Sequence, residues 1–375
     1  MSIEQDHLMI EAARLTRAGK LFDATTLLQR WIAGAGCVGA ESTPKHAPPA
    51  GDKSSTFFDQ ILQRIGLGGK SAAEEISVAP GRSVKSDPDI VQVGDFIAGN
   101  YADAAGRRDY KLYIPTVYDG QPLPLIVMLH GCTQSPDDFA AGTRMNAVAE
   151  QHGCFVVYPA QPSSANLHKC WNWFNPQDQQ RDHGEPALIA GITRKIMQDY
   201  AIDDRRVYVA GLSAGGAAAA VMGMAYPDLY AAVGVHSGLA CGAATDVQSA
   251  LAAMRDGKAA PGRTTASRIV PTIVFHGDND KTVNPSNGDQ VIAQSKSGMP
   301  LGATVAAVTE SGSAGGLSYD CTTHTDRSGE TVFEQWVIHG AGHAWSGGSA
   351  SGTYADPRGP DASREMVRFF LSHRR

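Results

Sequence analysis

The chain has 375 residues, 42% hydrophobic and 19% charged, which is enough apolar material for a sizeable core. Its formal net charge is −6 and its basic residues form no long run, which excludes a polyanion-binding character. No stretch approaches the ~18 apolar residues of a membrane-spanning helix.

The first residues, Met1 to Asp6, carry neither the basic nor the apolar region of a secretory signal, so a cytoplasmic protein is expected. Six cysteines, at 37, 132, 154, 170, 241 and 321, show no C-x-x-C spacing. Zinc and thioredoxin-type chemistry are therefore disfavoured, and no metal or other cofactor is expected. Most cysteines read as buried thiols, with one or two pairs free to bridge. Cys132 and Cys170 both fall in segments that belong near the site described below.

Leu8, Ala12, Leu15, Leu21, Ala24, Leu27, Leu28 and Trp31 recur at helical spacing around a break near Gly19. A helical hairpin or bent helix over 8–33 follows, packed on its own domain, on a second subunit, or against a granule or partner. Residues 34–89 are rich in Gly, Pro, Ser and Lys, interrupted by a short apolar stretch from Phe57 to Leu67, and read as a tether. The expected organisation is an N-terminal helical segment and linker over 1–89 and a catalytic domain over 90–375.

From Val91 to Ala98 and from Arg108 to Ile114 the pattern alternates as edge strands do, with residues 99–106 as the hairpin. Leu123 to Leu129 is a continuous apolar run, the mark of a strand buried on both faces. A helix over Pro136 to Gln151, a strand over Phe155 to Tyr158 and a helix over Pro186 to Tyr200 follow. Further strands fall at Val207–Gly211, Ala231–His236, Ile269–His276 and Thr331–Ile338, with a closing helix over Pro360–Arg374. Strands alternating with helices predict an α/β protein: a mostly parallel, doubly wound sheet with helices on both faces and a crevice at the carboxyl ends of the strands.

Within that frame, Gly211-Leu212-Ser213-Ala214-Gly215 joins a β-branched run to a run of small residues and reads as a nucleophile elbow. The glycines permit a sharp turn that strains Ser213 and exposes its Oγ, and Gly216 permits close helix-to-strand approach. A serine hydroxyl is a poor nucleophile at neutral pH, so a base and an orienting carboxylate are required from later loops. Asp280 is expected to be the acid. Asp278, directly after Gly277, is instead expected to bond backbone amides in an Asx-type turn. His343 lies in a Gly-flanked loop and is expected to be the base, whereas His339 ends its strand as a packing histidine. The order Ser213, Asp280, His343 is the order such a fold imposes.

Charge developing on the substrate oxygen needs preorganised donors, expected at the amides of Ala214 and Cys132. His130, Trp171, Trp173 and Trp345 are expected substrate contacts, a mini-core being the alternative for the three aromatics in Trp171-Asn172-Trp173-Phe174. If they line the cleft, tryptophan faces suit short acyl groups, of about two to six carbons, and Trp345→Ala raises KM.

LHGCTQ at 129–134, CWNWF at 170–174, GLSAGG at 211–216, HGDND at 276–280 and GAGHAWSGG at 340–348 carry a resemblance. Over about 107–373 the chain resembles the polyhydroxybutyrate depolymerase family of esterases, within the α/β-hydrolase superfamily. The resemblance implies hydrolysis of carboxylic esters: poly(3-hydroxybutyrate), its oligomers or related short-chain polyesters. Feruloyl and acetylxylan esterases share the elbow and the LHG segment and are the alternative. A non-catalytic scaffold that docks to a granule or partner, and an acyl-peptidase, are the readings from other classes. The intact serine, acid and histidine oppose the first, and insertions of only about 25–30 residues oppose the gating domain that the second requires.

Overall fold

The computed structural model describes residues 94–257, 269–299 and 303–375. The expected N-terminal helices, the tether and the boundary near 89 lie outside the described residues. In chain order, strands β1 (Asp95–Asp103), β2 (Gly106–Ile114) and β3 (Leu123–Leu129) precede helices α1 (Pro136–Thr143) and α2 (Met145–His152). β4 (Phe155–Pro159), α3 (Gly184–Asp199), β5 (Ile202–Leu212), α4 (Ala214–Ala225) and β6 (Ala232–His236) follow. Then come α5 (Val247–Asp256), β7 (Thr272–Gly277), α6 (Ser286–Ser297), β8 (Ala306–Ala314), β9 (Leu317–Thr325), β10 (Thr331–Ile338) and α7 (Ala362–Leu371). Two short strands, β11 (Trp345–Ser346) and β12 (Ala355–Asp356), pair with each other.

One sheet carries the strands in the order β1-β2-β4-β3-β5-β6-β7-β10-β9-β8. The run β4-β3-β5-β6-β7-β10 is parallel and both flanks are antiparallel. β3 shows why the centre is apolar throughout. Leu125, Val127 and Leu129 enter one core with α3 and α4, while Ile126 and Met128 enter the other with Phe139, Met145 and Phe369 of α1, α2 and α7. Successive side chains of a strand point to opposite faces, so a strand covered on both sides has no polar register.

Three expectations change at this level. The hairpin joining β1 and β2 is short, because Asn100 and Tyr101 pair with Asp109 and Arg108 and extend β1 to Asp103. The single helix expected over 136–151 is two, broken at Arg144, which is left-handed at φ 54°. The break lies beside a close approach: a Cβ on Gly352 would sit 2.5 Å from the Gly142 Cα. Finally, α5, α6, β8 and β9 were not anticipated. β8 is exposed along almost its whole length, so no apolar alternation marks it.

Candidate active site

Because β5, β6, β7 and β10 run parallel side by side, the loops that leave them emerge on one edge of the sheet. The register aligns Leu212 with His236, His236 with Phe275, and Ile338 with Gly277. Ser213, Asp280 and His343 lie in three of those loops, and their spacing of 67 and 63 residues in sequence is removed by strand order alone.

Ser213 sits between β5 and α4 with φ 57° and ψ −119°, a conformation that side chains rarely adopt. Its glycine neighbours explain how the turn fits. A Cβ on Gly215 would lie 2.0 Å from Leu129 O, one on Gly211 2.3 Å from the Gly215 carbonyl carbon, and one on Gly216 3.0 Å from His236 O. The Ser213 N–H donates to His236 O at 2.9 Å. The side chain makes no capping bond to α4, which leaves the hydroxyl free for other work.

His343 Nδ1 is 2.7 Å from Asp280 Oδ2. The other Asp280 oxygen accepts the N–H groups of Thr282 at 2.8 Å and Val283 at 2.9 Å. Burial raises the carboxyl pKa of Asp280, but hydrogen bonds and opposite charge from His276 and His343 hold it well below the usual carboxylate range. The Asx-type turn expected at Asp278 therefore belongs to Asp280. A carboxylate has two oxygens, and one secures the loop while the other meets the imidazole. Asp278 instead accepts the Gly340 N–H at 2.7 Å and lies 2.9 Å from His339 Nδ1. His339 is not a packing histidine: its side chain is partly exposed, bound also to Asp320 at 3.3 Å, and its pKa is raised by these carboxylates.

The LHG segment abuts the elbow: a Cβ on Gly131 would lie 3.7 Å from the Ser213 Cβ. Around Cys132 the neighbouring amides are occupied, Gly131 N–H by Gln134 Oε1 at 2.9 Å and Thr133 N–H by His168 O at 2.6 Å. Ala214 is the first residue of α4, where a helix leaves its N–H groups without an internal partner. Of the two amides expected to meet an oxyanion, that of Ala214 directly follows Ser213, and that of Cys132 follows Gly131, the residue packed beside Ser213. Cys132 is joined to Cys170 by a disulfide, the one bridge among the described residues.

The four expected substrate contacts are buried instead. His130 is 1% exposed, its Nδ1 2.8 Å from Gly131 O, and its Nε2 accepts the Gln161 N–H at 3.1 Å. Burial lowers its pKa to about 4, so it is a neutral structural imidazole. Trp171 is 0% exposed and donates Nε1–H to His130 O at 3.1 Å, and Trp173 is 6% exposed. Trp345 is 1% exposed, stacks on His236 at 5.1 Å and donates to Ser363 Oγ at 3.1 Å. The aromatic segment is a mini-core, and the expected rise in KM on removing Trp345 loses its basis.

Two histidines outside the expected set support the loops. His236 Nε2 accepts the Ser346 N–H at 3.0 Å, and His276 Nε2 lies 2.9 Å from Val283 O and 3.3 Å from Asp280 Oδ2. Each lies at or within one residue of the carboxyl end of a strand, as His130 does, and that shared position is the signal that could have found them. Among the described residues, no cluster of His, Cys, Asp or Glu is arranged to hold a metal ion, and no helix is long and apolar enough to cross a membrane.

Residues 108–309 match the family model described as "Esterase PHB depolymerase". Poly(3-hydroxyalkanoate) depolymerase C of Paucimonas lemoignei is 31% identical over 271 residues, covering 69% of this chain and 61% of that protein. Poly(3-hydroxybutyrate) depolymerase of Ralstonia pickettii is 28% identical, covering 63% of this chain and 50% of that protein. Feruloyl esterase B of Thermothelomyces thermophilus is 29% identical over 52% of this chain and 71% of its own. The chain thus spans about half to two thirds of the length of the two depolymerases. Acetyl xylan esterase from Aspergillus awamori superposes with a TM-score of 0.56 at 20% identity, over 74% of this chain and 99% of its own, a likeness of fold. With its mostly parallel sheet and strand–elbow–helix, the fold is that of the α/β-hydrolases, and the chain belongs to the PHB depolymerase family of esterases.

Proposed function

We propose that the protein is a serine hydrolase of short-chain carboxylic esters, acting through an acyl-enzyme on poly(3-hydroxybutyrate), its oligomers or related polyesters. The observation that carries the reading is the 2.7 Å Asp280–His343 bond on the sheet edge that also presents the strained Ser213, in a chain of this esterase family. With Nδ1–H held by Asp280, His343 keeps Nε2 as a proton acceptor. A Ser213 Oγ–His343 Nε2 hydrogen bond then forms as substrate binds, since catalytic hydrogen bonds tighten in the complex. Ser213 Oγ attacks the ester carbonyl carbon and gives its proton to His343. The carbonyl oxygen becomes negative against the Ala214 and Cys132 amides, and its collapse expels the alcohol, which takes the proton from His343. Water repeats the sequence on the acyl-enzyme and releases the acid.

Hydrolysis of short p-nitrophenyl esters, abolished by a serine-directed phosphonate, tests the class; no hydrolysis would refute it. Products from 3-hydroxybutyrate oligomers, amorphous polymer, feruloylated sugar and acetylated xylan, measured side by side, decide the substrate. The second reading, a feruloyl or acetylxylan esterase, is favoured by sequence relatives of both kinds. Residues 8–33 are the proposed docking or oligomer segment. For location, the Cys132–Cys170 bridge supports an oxidising compartment over the cytoplasm, because disulfides are rare in the cytosol. Fractionation with thiol trapping tests that preference.

A further inference from the structure

Behind the Cys132 loop lies a buried polar cluster that ester hydrolysis as described leaves unused. Glu185, in the first turn of α3, and Arg108 of β2 are both largely shielded from solvent, with Arg108 Nη2 3.6 Å from Glu185 Oε1. Glu185 Oε2 accepts the Asn172 N–H at 2.7 Å, and Oε1 accepts Asn172 Nδ2–H at 2.7 Å and a hydrogen bond from Gln161 Nε2. Asp178 Oδ1 takes the Glu185 N–H at 2.8 Å. Burying a carboxylate is costly, and a well-packed apolar side chain is often as stabilising. The charge is better explained by what it holds.

Three connections run from the segment Glu185 holds to residues 130–132. Gln161 donates its N–H to His130 Nε2 at 3.1 Å and its Nε2–H to Cys170 O at 2.9 Å. Trp171, next to Asn172, donates Nε1–H to His130 O at 3.1 Å. Cys170 is bonded covalently to Cys132. Backbone of residues 170–172 and backbone of residues 130–132 therefore move together, and the carboxylate anchors the pair to α3 and β2.

We propose that Glu185 is a positioning residue: by fixing Gln161 and residues 170–172, it holds the Cys132 N–H where the negative oxygen of the substrate develops. The proposal rests on the esterase reading above. It assigns Glu185 no contact with substrate. Its effect is on the placement of a donor, and misplacing an oxyanion donor lowers turnover more than ground-state binding.

The test compares the full-length wild type, Glu185→Gln and Asn172→Ala, the last a loop change that removes one Glu185 bond should Glu185→Gln fail to fold. Active sites are titrated with a phosphonate, kcat and KM are measured per titrated site on a short p-nitrophenyl ester, and amide exchange is followed in 130–134 and 168–174. Glu185→Gln is expected to lower kcat per site by ~10 to 100-fold with KM within about twofold, since a small misplacement of catalytic groups has effects of that size. Exchange in both segments is expected to rise, and Asn172→Ala is expected to show both changes in smaller measure. Unchanged kcat per site in the variants that fold, whatever their melting temperature, would overturn the proposal and leave Glu185 a stability residue. Failure of wild type to cleave any ester would instead refute the esterase reading, and unchanged exchange would still refute the anchoring role.

Discussion

Asp280 Oδ2 stands 2.7 Å from His343 Nδ1 and 3.3 Å from His276 Nε2, so one carboxylate oxygen faces two imidazoles, one from β7 and one from the loop after β10. The arrangement separates Asp280 from Asp278, two residues earlier, which serves the surface histidine His339. Asp280→Asn is expected to lower kcat by roughly 10³ to 10⁴, since an amide in place of the carboxylate disfavours the productive tautomer. Asp278→Asn breaks a solvent-screened contact and is expected to cost less than about fivefold. Initial rates on a p-nitrophenyl ester check the order; a reversed order would move the acid to Asp278.

Ser213→Ala and His343→Ala are each expected to reduce hydrolysis by several orders of magnitude, and the double variant little further, because the groups act as a unit. Circular dichroism and urea unfolding should show a retained fold. Multiplicative losses in the double variant would separate the two residues.

Trp345→Ala is expected to act on stability. The side chain stacks on His236 and meets Phe139 edge-on at 5.6 Å, so its removal leaves a large cavity costing ~3 to 5 kcal/mol. Urea titration measures the loss. Unchanged stability with a raised KM would restore Trp345 to the substrate cleft.

Acid should weaken the fold through buried imidazoles. Burial lowers His130 to about 4 and His236 to about 3, both from 6.5. Between pH 6.5 and 4 the unfolded chain takes up protons that these native residues refuse, so their contribution is lost as pH falls through that window. Glu185 works oppositely: burial, then Asp178, pushes it up to about 7, so its contribution falls as pH rises from 4.5 to 7. Comparing urea unfolding at pH 7.5 and 5, His130→Gln is expected to lose roughly 2 kcal/mol less than wild type. Equal losses would show that His130 is protonated in the fold.

Removing residues 1–89 is expected to leave hydrolysis of small soluble esters intact, because every residue described in or behind the site lies at Arg108 or later. Activity per titrated site in the truncated protein checks this; a large fall would give the N-terminal segment a part in the cleft.

Much of the fold was legible because burial on both faces leaves an unmistakable trace. Leu123–Leu129 was located to the residue, and the elbow was readable because close backbone approach demands glycine at 211, 215 and 216. β8 left no trace, since an exposed strand held by backbone pairing imposes little on its side chains. The sequence by itself determined which residues carry the chemistry of a hydroxyl, an imidazole and a carboxylate, and in what order the loops present them. Only the tertiary structure decided which backbone amides Asp278 and Asp280 each secure, and that the Trp171, Trp173 and Trp345 side chains are buried. A residue type records what a side chain is able to do, whereas its direction and burial depend on strands and loops far away in the chain.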